Sequence, residues 1–390
     1  MKSQSPPDWN PTSPEVLRDQ AAAYDEMRCR CPVAHSELMG WSLFRHEDVV
    51  RALQAPEAFS NAVSQHLSVP NGMDPPEHTA YRRIIEPYFS PARMQAFEPV
   101  CRAIARDLVR SLDGLQEVEF IEAVALPFAA RVQCAFLGWP AALQQSLVRW
   151  ARKNHEATLA QDRSAMSRIA LEFERIVDEL LETRLQANAG PEADLTAALM
   201  QEQVWGRTLS NEEVASILRN WTVGEIGTIS AAVAILAQYL AEHPELQRQL
   251  RANTTLLSAA IDEILRIHGP LLTNRRITRC PVELGGKKIG AGERVTLMWT
   301  SANRDERAFE DPAAFRLDRD PARNLLYGAG IHVCPGAPLA SLELRVFLQE
   351  LLSPPAEIVG LPHKKPVPAV YPASGFASLH LRLQPMAAKK

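Results

Sequence analysis

The stretch between Ser210 and Pro244 constrains the fold more than any other part of the chain. Ser210 and Glu213 stand three apart, the spacing at which a serine and a glutamate cap the first turn of a helix reciprocally. No proline follows until Pro244, which cannot continue a helix. The pattern predicts one helix of about 45–50 Å at 1.5 Å per residue, long enough to cross the whole molecule.

Gly224 and Gly227 lie in the middle of this stretch. Each costs about 1 kcal/mol relative to alanine in a helix. Two such costs within one turn predict close approach by something large, or else tight packing against another helix. Thr228 follows, and its hydroxyl can bond back to the Gly224 carbonyl and bend the helix.

Elsewhere the apolar spacing is mostly helical. A turn-rich loop over Asn71 to Pro76 precedes a helical run from Glu77, and spacings of three and four dominate from Pro99 to Ala189. Ala187 to Ala193 reads as a loop. A second helix over about Leu256 to Ile267 stops at Gly269-Pro270. The period then changes to two, placing Val282, Leu284, Ile289, Val295 and Leu297 in short strands around a Gly285-Gly286 hairpin. Trp41 to Phe44 and the alternation Leu379, Leu381, Leu383 predict further strands. The expected fold is mostly α with a smaller β portion (α+β), a single domain over 1–390. A loose N-terminal arm is expected at about 1–15, marked by Pro6, Pro7 and Pro11.

A hydrophobic content of 46% in 390 residues is enough for a large core. Lys+Arg 42 against Asp+Glu 46 leaves a net charge of -4, without the basic excess of a nucleic-acid binder. No apolar run reads as long enough to span a bilayer, and the first residues lack the apolar core of a secretory signal. The expected location is the cytoplasm. Six sparse cysteines argue against a disulfide framework. Cys29, Cys31 and His35 lack the second ligand pair that a zinc module needs.

One cysteine stands apart. In Tyr327-Gly328-Ala329-Gly330-Ile331-His332-Val333-Cys334-Pro335-Gly336, three glycines and a proline crowd Cys334, and a helical pattern follows through Leu339, Leu342, Val346 and Leu351. A cysteine just before a helix N-terminus faces backbone N–H groups and the positive dipole end, which favour a thiolate. The glycines allow close approach to a flat cofactor, or let N–H groups fold towards the sulfur. The alternative is a small core residue in a tight turn. A redox thiol would want a partner cysteine nearby in sequence, and a Gly-x-Gly is too little for a dinucleotide site.

This segment resembles the haem-binding loop of the cytochrome P-450 superfamily, of the bacterial, soluble, ferredoxin-dependent type, with Tyr327 where the family usually has Phe. The resemblance implies a P-450-like domain with its long central helix over the haem, haem b (iron protoporphyrin IX) as cofactor, and Cys334 as the axial ligand of the iron. It extends over nearly the whole chain. Glu263 and Arg266 match the family's Glu-x-x-Arg pair, with Arg319 completing an ion network. His78, Arg82, Arg276 and His332 match positions that hold the haem propionates. The long helix corresponds to the one crossing the oxygen-binding face, with Thr228 in its usual place. The acid that usually precedes this threonine is replaced by Gly227. Glu225, three residues before Thr228, is the expected substitute proton donor.

The implied reaction is monooxygenation of a small, largely apolar molecule with a polar handle, by hydroxylation or O-dealkylation. With no flavin or nicotinamide fingerprint in the chain, the electrons are expected from a separate ferredoxin and ferredoxin reductase. No nucleic-acid or membrane partner is expected. A peroxide-driven oxidase, suggested by the missing acid, is one alternative; a haem-binding sensor or non-oxidising protein on the same scaffold is another. The substrate pocket is expected from the Phe59 to Met73 loop, Val223, Gly224, Leu271 to Asn274 and Ser374 to Phe376.

Overall fold

The computed structural model describes residues 8–64, 66–160 and 162–385. Six helices carry the site: α1 (Glu77–Ile85), α2 (Pro91–Arg110), α3 (Leu126–Leu137), α4 (Asn211–Glu242), α5 (Leu257–His268) and α6 (Ala337–Leu352). The helix α4 is the 32-residue element expected from the Ser210–Pro244 pattern. The Ser210 hydroxyl accepts from the Glu213 N–H at 3.2 Å, and Glu213 accepts from the Ser210 N–H at 2.8 Å. His243 ends the helix, and Pro244 begins the next.

Val214, Ile217, Leu218, Ile226, Val233, Leu236 and Leu240 of α4 are buried in the main core. Burying each such side chain contributes about 1.5–3 kcal/mol, which explains why a helix with two central glycines holds together. The helix packs against α3, α5, α6 and the helix Arg163–Gln186. By length and composition α4 would suffice to cross a membrane, contrary to the expectation that no run is long enough. In this fold, however, 67% of its most apolar window is buried inside the protein.

The smaller β portion lies beside these helices. A five-stranded sheet joins β1 (Val33–Ser36), β2 (Gly40–Leu43), β3 (Phe59–Ser60), β4 (Thr273–Thr278) and β5 (Arg294–Met298) in the order β1-β2-β5-β4-β3. Only the β2–β5 pairing is parallel. The expected hairpin links Val282–Leu284 to Lys287–Ile289, with Gly285 and Gly286 at φ +52° and +74°. His380–Pro385 pairs with Ala356–Gly360 and Val118–Glu119. The protein is mostly α with this smaller β part, in one domain.

Two further features depart from the sequence expectation. The strand β4 was not anticipated, because Thr273, Asn274, Arg275 and Arg276 carry no apolar alternation; the ladder to β5 imposes the extended form. The arm expected to be loose is packed from Asp8 onward. The Asp8 N–H bonds to the His35 carbonyl at 2.8 Å, Trp9 lies buried edge-on to Phe44 at 5.1 Å, and Pro14–Arg18 is helical. Residues 1–7 of the arm fall outside the described residues.

Candidate active site

The cysteine loop is held by its own backbone. The Cys334 N–H bonds to the Tyr327 carbonyl at 2.9 Å, and the Val333 N–H to the Gly330 carbonyl at 3.1 Å. Gly330 sits at φ +70°, and a Cβ there would stand 2.3 Å from the Leu53 carbonyl oxygen, so only glycine fits. Cys334 then leads directly into α6. Burial pushes its thiol up, opposed by the Gly336 and Ala337 N–H groups and the charge of Arg82. The side chain is nonetheless exposed, although protein surrounds the thiol on most sides, so an open space adjoins the sulfur. The Tyr327 hydroxyl pairs with Ser341 Oγ at 3.3 Å rather than with the sulfur.

The helix α4 carries an open stripe of its own. Val223, Gly224 and Gly227 are exposed and Thr228 is half-buried, although neighbours on either side of this stripe are buried. A Cβ built on Gly224 or Gly227 would meet nothing within 4 Å. The glycines therefore do not serve helix–helix packing; they keep a groove open. Back-bonding hydroxyls occur at Thr222, to the Leu218 carbonyl at 2.8 Å, and at Ser230, to the Ile226 carbonyl at 2.6 Å. Among the described hydrogen bonds, the one expected from Thr228 to Gly224 is not made. Leu271 and Val333 are apolar and exposed, at 39% and 40%.

Four nitrogen-bearing side chains from three elements converge beside the cysteine loop. His78 and Arg82 come from α1, Arg276 from β4 and His332 from the cysteine loop. The imidazoles of His78 and His332 lie 4.1 Å apart, and both Nε2 atoms are buried with no hydrogen-bond partner among the described residues. Burial, then Arg82, pushes His78 down to about 4. Burial, then His78, Arg276 and Arg82, pushes His332 down to about 3, opposed in part by a hydrogen bond to the Met73 backbone. Burial likewise pushes Arg276 down to about 10. Buried polar atoms are normally partnered. Two bare ring nitrogens beside two guanidinium groups form a receptor for carboxylates. An exposed thiol, an open helix groove and a cluster of side chains suited to carboxylates fit a flat dicarboxylate macrocycle such as haem.

The cytochrome P450 family model matches residues 139–354. The chain belongs to the cytochrome P450 family. It is 30% identical to the cyclomarin C epoxidase CymV of Salinispora arenicola, over 86% of this chain and 89% of that protein. It is similarly 30% identical to the putative cytochrome P450 YjiB of Bacillus subtilis, over 85% and 86%. Among solved structures, CYP109Q5 from Chondromyces apiculatus superposes with a TM-score of 0.85 at 29% identity, covering 97% of this chain and 98% of that one. CYP109E1 from Bacillus megaterium in complex with corticosterone superposes at 0.83 and 28% identity, covering 94% and 99%. The protein is thus a P450 monooxygenase with haem as its cofactor, of a family that uses small-molecule substrates, O2 and redox partners.

In this P450, Glu263, Arg266 and Arg319 meet in one network. Arg266 donates to both Glu263 oxygens, from Nε at 2.7 Å and Nη2 at 2.8 Å, and Arg319 Nε donates to Oε1 at 2.9 Å. Burial alone would raise the Glu263 carboxyl, but the two arginines hold it below its ordinary value. Both guanidinium groups also lie over the Phe309 ring, at 4.8 and 6.0 Å. Arg266 donates further to the Asn303 carbonyl, and Asn303 Oδ1 accepts from the Leu325 N–H at 2.8 Å. The network thereby anchors the start of the cysteine loop.

Glu225 is placed away from the open stripe. It is 8% exposed, and its carboxyl faces Glu343 on α6. Sequence reasoning missed Glu343, whose helix pattern gives no hint of a partner on α4. It also missed Ser216 and Asn220, which tie the 67–69 loop to α4. Ser216 Oγ accepts from the Val69 N–H at 2.9 Å and donates to the Leu67 carbonyl at 3.0 Å; Asn220 Nδ2 donates to the Val69 carbonyl at 3.0 Å. Of the expected pocket residues, Phe59 is buried in the core beside the five-stranded sheet. Ser374 bonds to the Gly269 carbonyl, and Gly375 lies against Ala231 of α4.

Proposed function

We propose that this P450 inserts one oxygen atom from O2 into a small, largely apolar organic molecule with a polar handle, by hydroxylation or O-dealkylation. A separate ferredoxin and its reductase supply the electrons, in the cytoplasm, and the whole chain 1–390 acts as one haem-thiolate domain. The observation that carries the reading is the accessible Cys334 sulfur in its glycine-framed loop; the glycine-opened stripe of α4 and the unpartnered histidine nitrogens support it. Similar proteins include a linalool 8-monooxygenase and the corticosterone complex, which supports an apolar substrate with few polar groups.

Cys334 holds the haem iron, and His78, Arg82, Arg276 and His332 hold the propionates. When bound, the haem supplies the oxygen-activating redox chemistry. Val223 and Leu271 exclude water and orient the substrate, with Ser374 and Phe376 in the facing turn. Thr228 offers the one polar side chain of the open stripe and holds a proton there. Glu225 is the proton source behind it. The network of Glu263, Arg266 and Arg319 keeps the cysteine loop in place.

A peroxide-driven oxidase is the second reading, favoured by Gly227 in the acid's position and by the Glu225 carboxyl facing Glu343. Turnover of a substrate found by its effect on the haem spectrum separates the two. Product is expected with NAD(P)H, ferredoxin and reductase. Product with hydrogen peroxide alone would overturn the ferredoxin reading.

A further inference from the structure

Ser216, Arg219 and Asn220 precede the open stripe of Val223, Gly224 and Gly227 at spacings of three and four, so all six share one face of α4. Residues 67–69 cover the first three, and the stripe opens one turn later. The covering segment belongs to neither a helix nor a strand, so its backbone groups need partners from elsewhere. Ser216 Oγ accepts from the Val69 N–H at 2.9 Å and donates to the Leu67 carbonyl at 3.0 Å, and Asn220 Nδ2 donates to the Val69 carbonyl. Arg219 Nη2 donates to the Leu67 carbonyl as well, and Nη1 donates to Glu174 Oε1 at 3.0 Å. Glu174 belongs to the helix Arg163–Gln186. One guanidinium therefore joins α4, the 67–69 segment and a second helix, and its side chain is only 13% exposed. Among the described hydrogen bonds, no other side chain links residues 60–73 and that helix to a common partner.

The bonds made by Ser216 and Asn220 are between neutral groups, whereas those made by Arg219 carry a charge and are about twice as strong. Val69 is fully buried in the main core, while residues 62–64 and 66, just before the clamped segment, are exposed. The segment can therefore lift away from α4 only by giving up the Arg219 bond together with those of Ser216 and Asn220. We propose that Arg219 is a positioning residue that latches the 67–69 segment and the helix Arg163–Gln186 to α4, and so sets how fast a substrate enters and leaves the groove. The proposal rests on the reading of the open stripe as the substrate groove. Closure of a loop over a bound substrate excludes water and commits it to reaction. A latch of this kind acts on passage in both directions: breaking it speeds entry and exit together and leaves the affinity nearly unchanged. A side chain that only supports the fold has no reason to act on the two rates alike.

Stopped-flow binding of 4-phenylimidazole to the ferric holoenzyme, followed by the haem spectrum, tests this. The probe is apolar and takes the iron through its ring nitrogen, so it must reach the haem through the groove. Arg219→Ala should raise its association and dissociation rates together, by roughly tenfold for the loss of a charged hydrogen bond, with little change in their ratio. Glu174→Gln should raise both by less, because the amide oxygen still accepts but the ion pair is gone. Cyanide, small enough to pass without the segment lifting, should bind at nearly the wild-type rate in both variants. Circular dichroism and haem content check folding, and Glu174→Gln carries the test alone if Arg219→Ala does not fold. Failure of the underlying reading looks different: Val223→Phe, which adds bulk to the open stripe, would bind 4-phenylimidazole as tightly and as fast as wild type. Unchanged 4-phenylimidazole rates in the Arg219 and Glu174 variants, a change in one rate only, or an equal rise for cyanide would overturn the role of Arg219.

Discussion

At the residue scale, the histidine nitrogens beside the cysteine loop have the largest unmet demand. A charge-assisted bond to a carboxylate is worth about 1.5–3 kcal/mol, and His78 and His332 each hold a buried Nε2 with no partner among the described residues. Arg82→Ala combined with Arg276→Ala should therefore lose haem readily. The check is haem content after purification and the rate of haem transfer to an acceptor protein; an unchanged rate counts against these residues as propionate ligands. Glu225→Gln should lower product per electron and divert reducing equivalents to peroxide, within the roughly 10²–10⁴-fold range of a positioned general acid. Substrate binding, read from the haem spectrum, should barely change. Cys334 was legible because a glycine-framed cysteine before a helix is locally encoded. Glu343 was not, because its significance comes from a partner more than a hundred positions away on another helix.

At the scale of elements, the ion network decides how well the cysteine loop is held. Glu263 is 5% exposed and Arg266 1%, and removing one partner of a buried pair leaves an uncompensated charge. Glu263→Ala should cost about 3–5 kcal/mol, measured by urea unfolding of the holoenzyme. The loop itself depends on Gly330. In Gly330→Ala, the added Cβ would press on the Leu53 backbone, so the helix His46–Gln54 and the loop must separate. The expected outcome is a lower haem content with most helical circular dichroism retained. The α4 helix was legible from its capping box and its proline stop, both local signals. The strand β4, which delivers Arg276, was not, since a ladder partner on β5 fixes its conformation and its own residues are polar. Likewise, Gly224 and Gly227 announced an unusual position, but only the open space around them distinguishes a groove from a packing contact.

At the scale of the whole molecule, stability should depend on pH from both sides. Glu225 and Glu343 ionise later in the folded protein than in the unfolded chain. At mildly acid pH the unfolded chain has therefore already released protons that the folded protein keeps. Their contribution is fully present below the ordinary value of 4.5 and is lost as the pH rises towards about 7, the value of Glu225. Glu263, held below its ordinary value, acts in the opposite sense, and its contribution is lost only as the solution becomes strongly acid. Thermal unfolding of the Glu225→Gln/Glu343→Gln double variant should show a weaker decline between mildly acid and neutral pH than wild type. The same decline in both would mean that other groups cause it. All of these expectations presuppose that Cys334, and no other cysteine, holds the iron. The spectrum of the ferrous carbon-monoxide complex tests that directly. Wild type should give the strongly red-shifted band of a thiolate-bound haem, and Cys334→His, still binding haem, should lose it. Persistence of the band in Cys334→Ser would contradict the assignment.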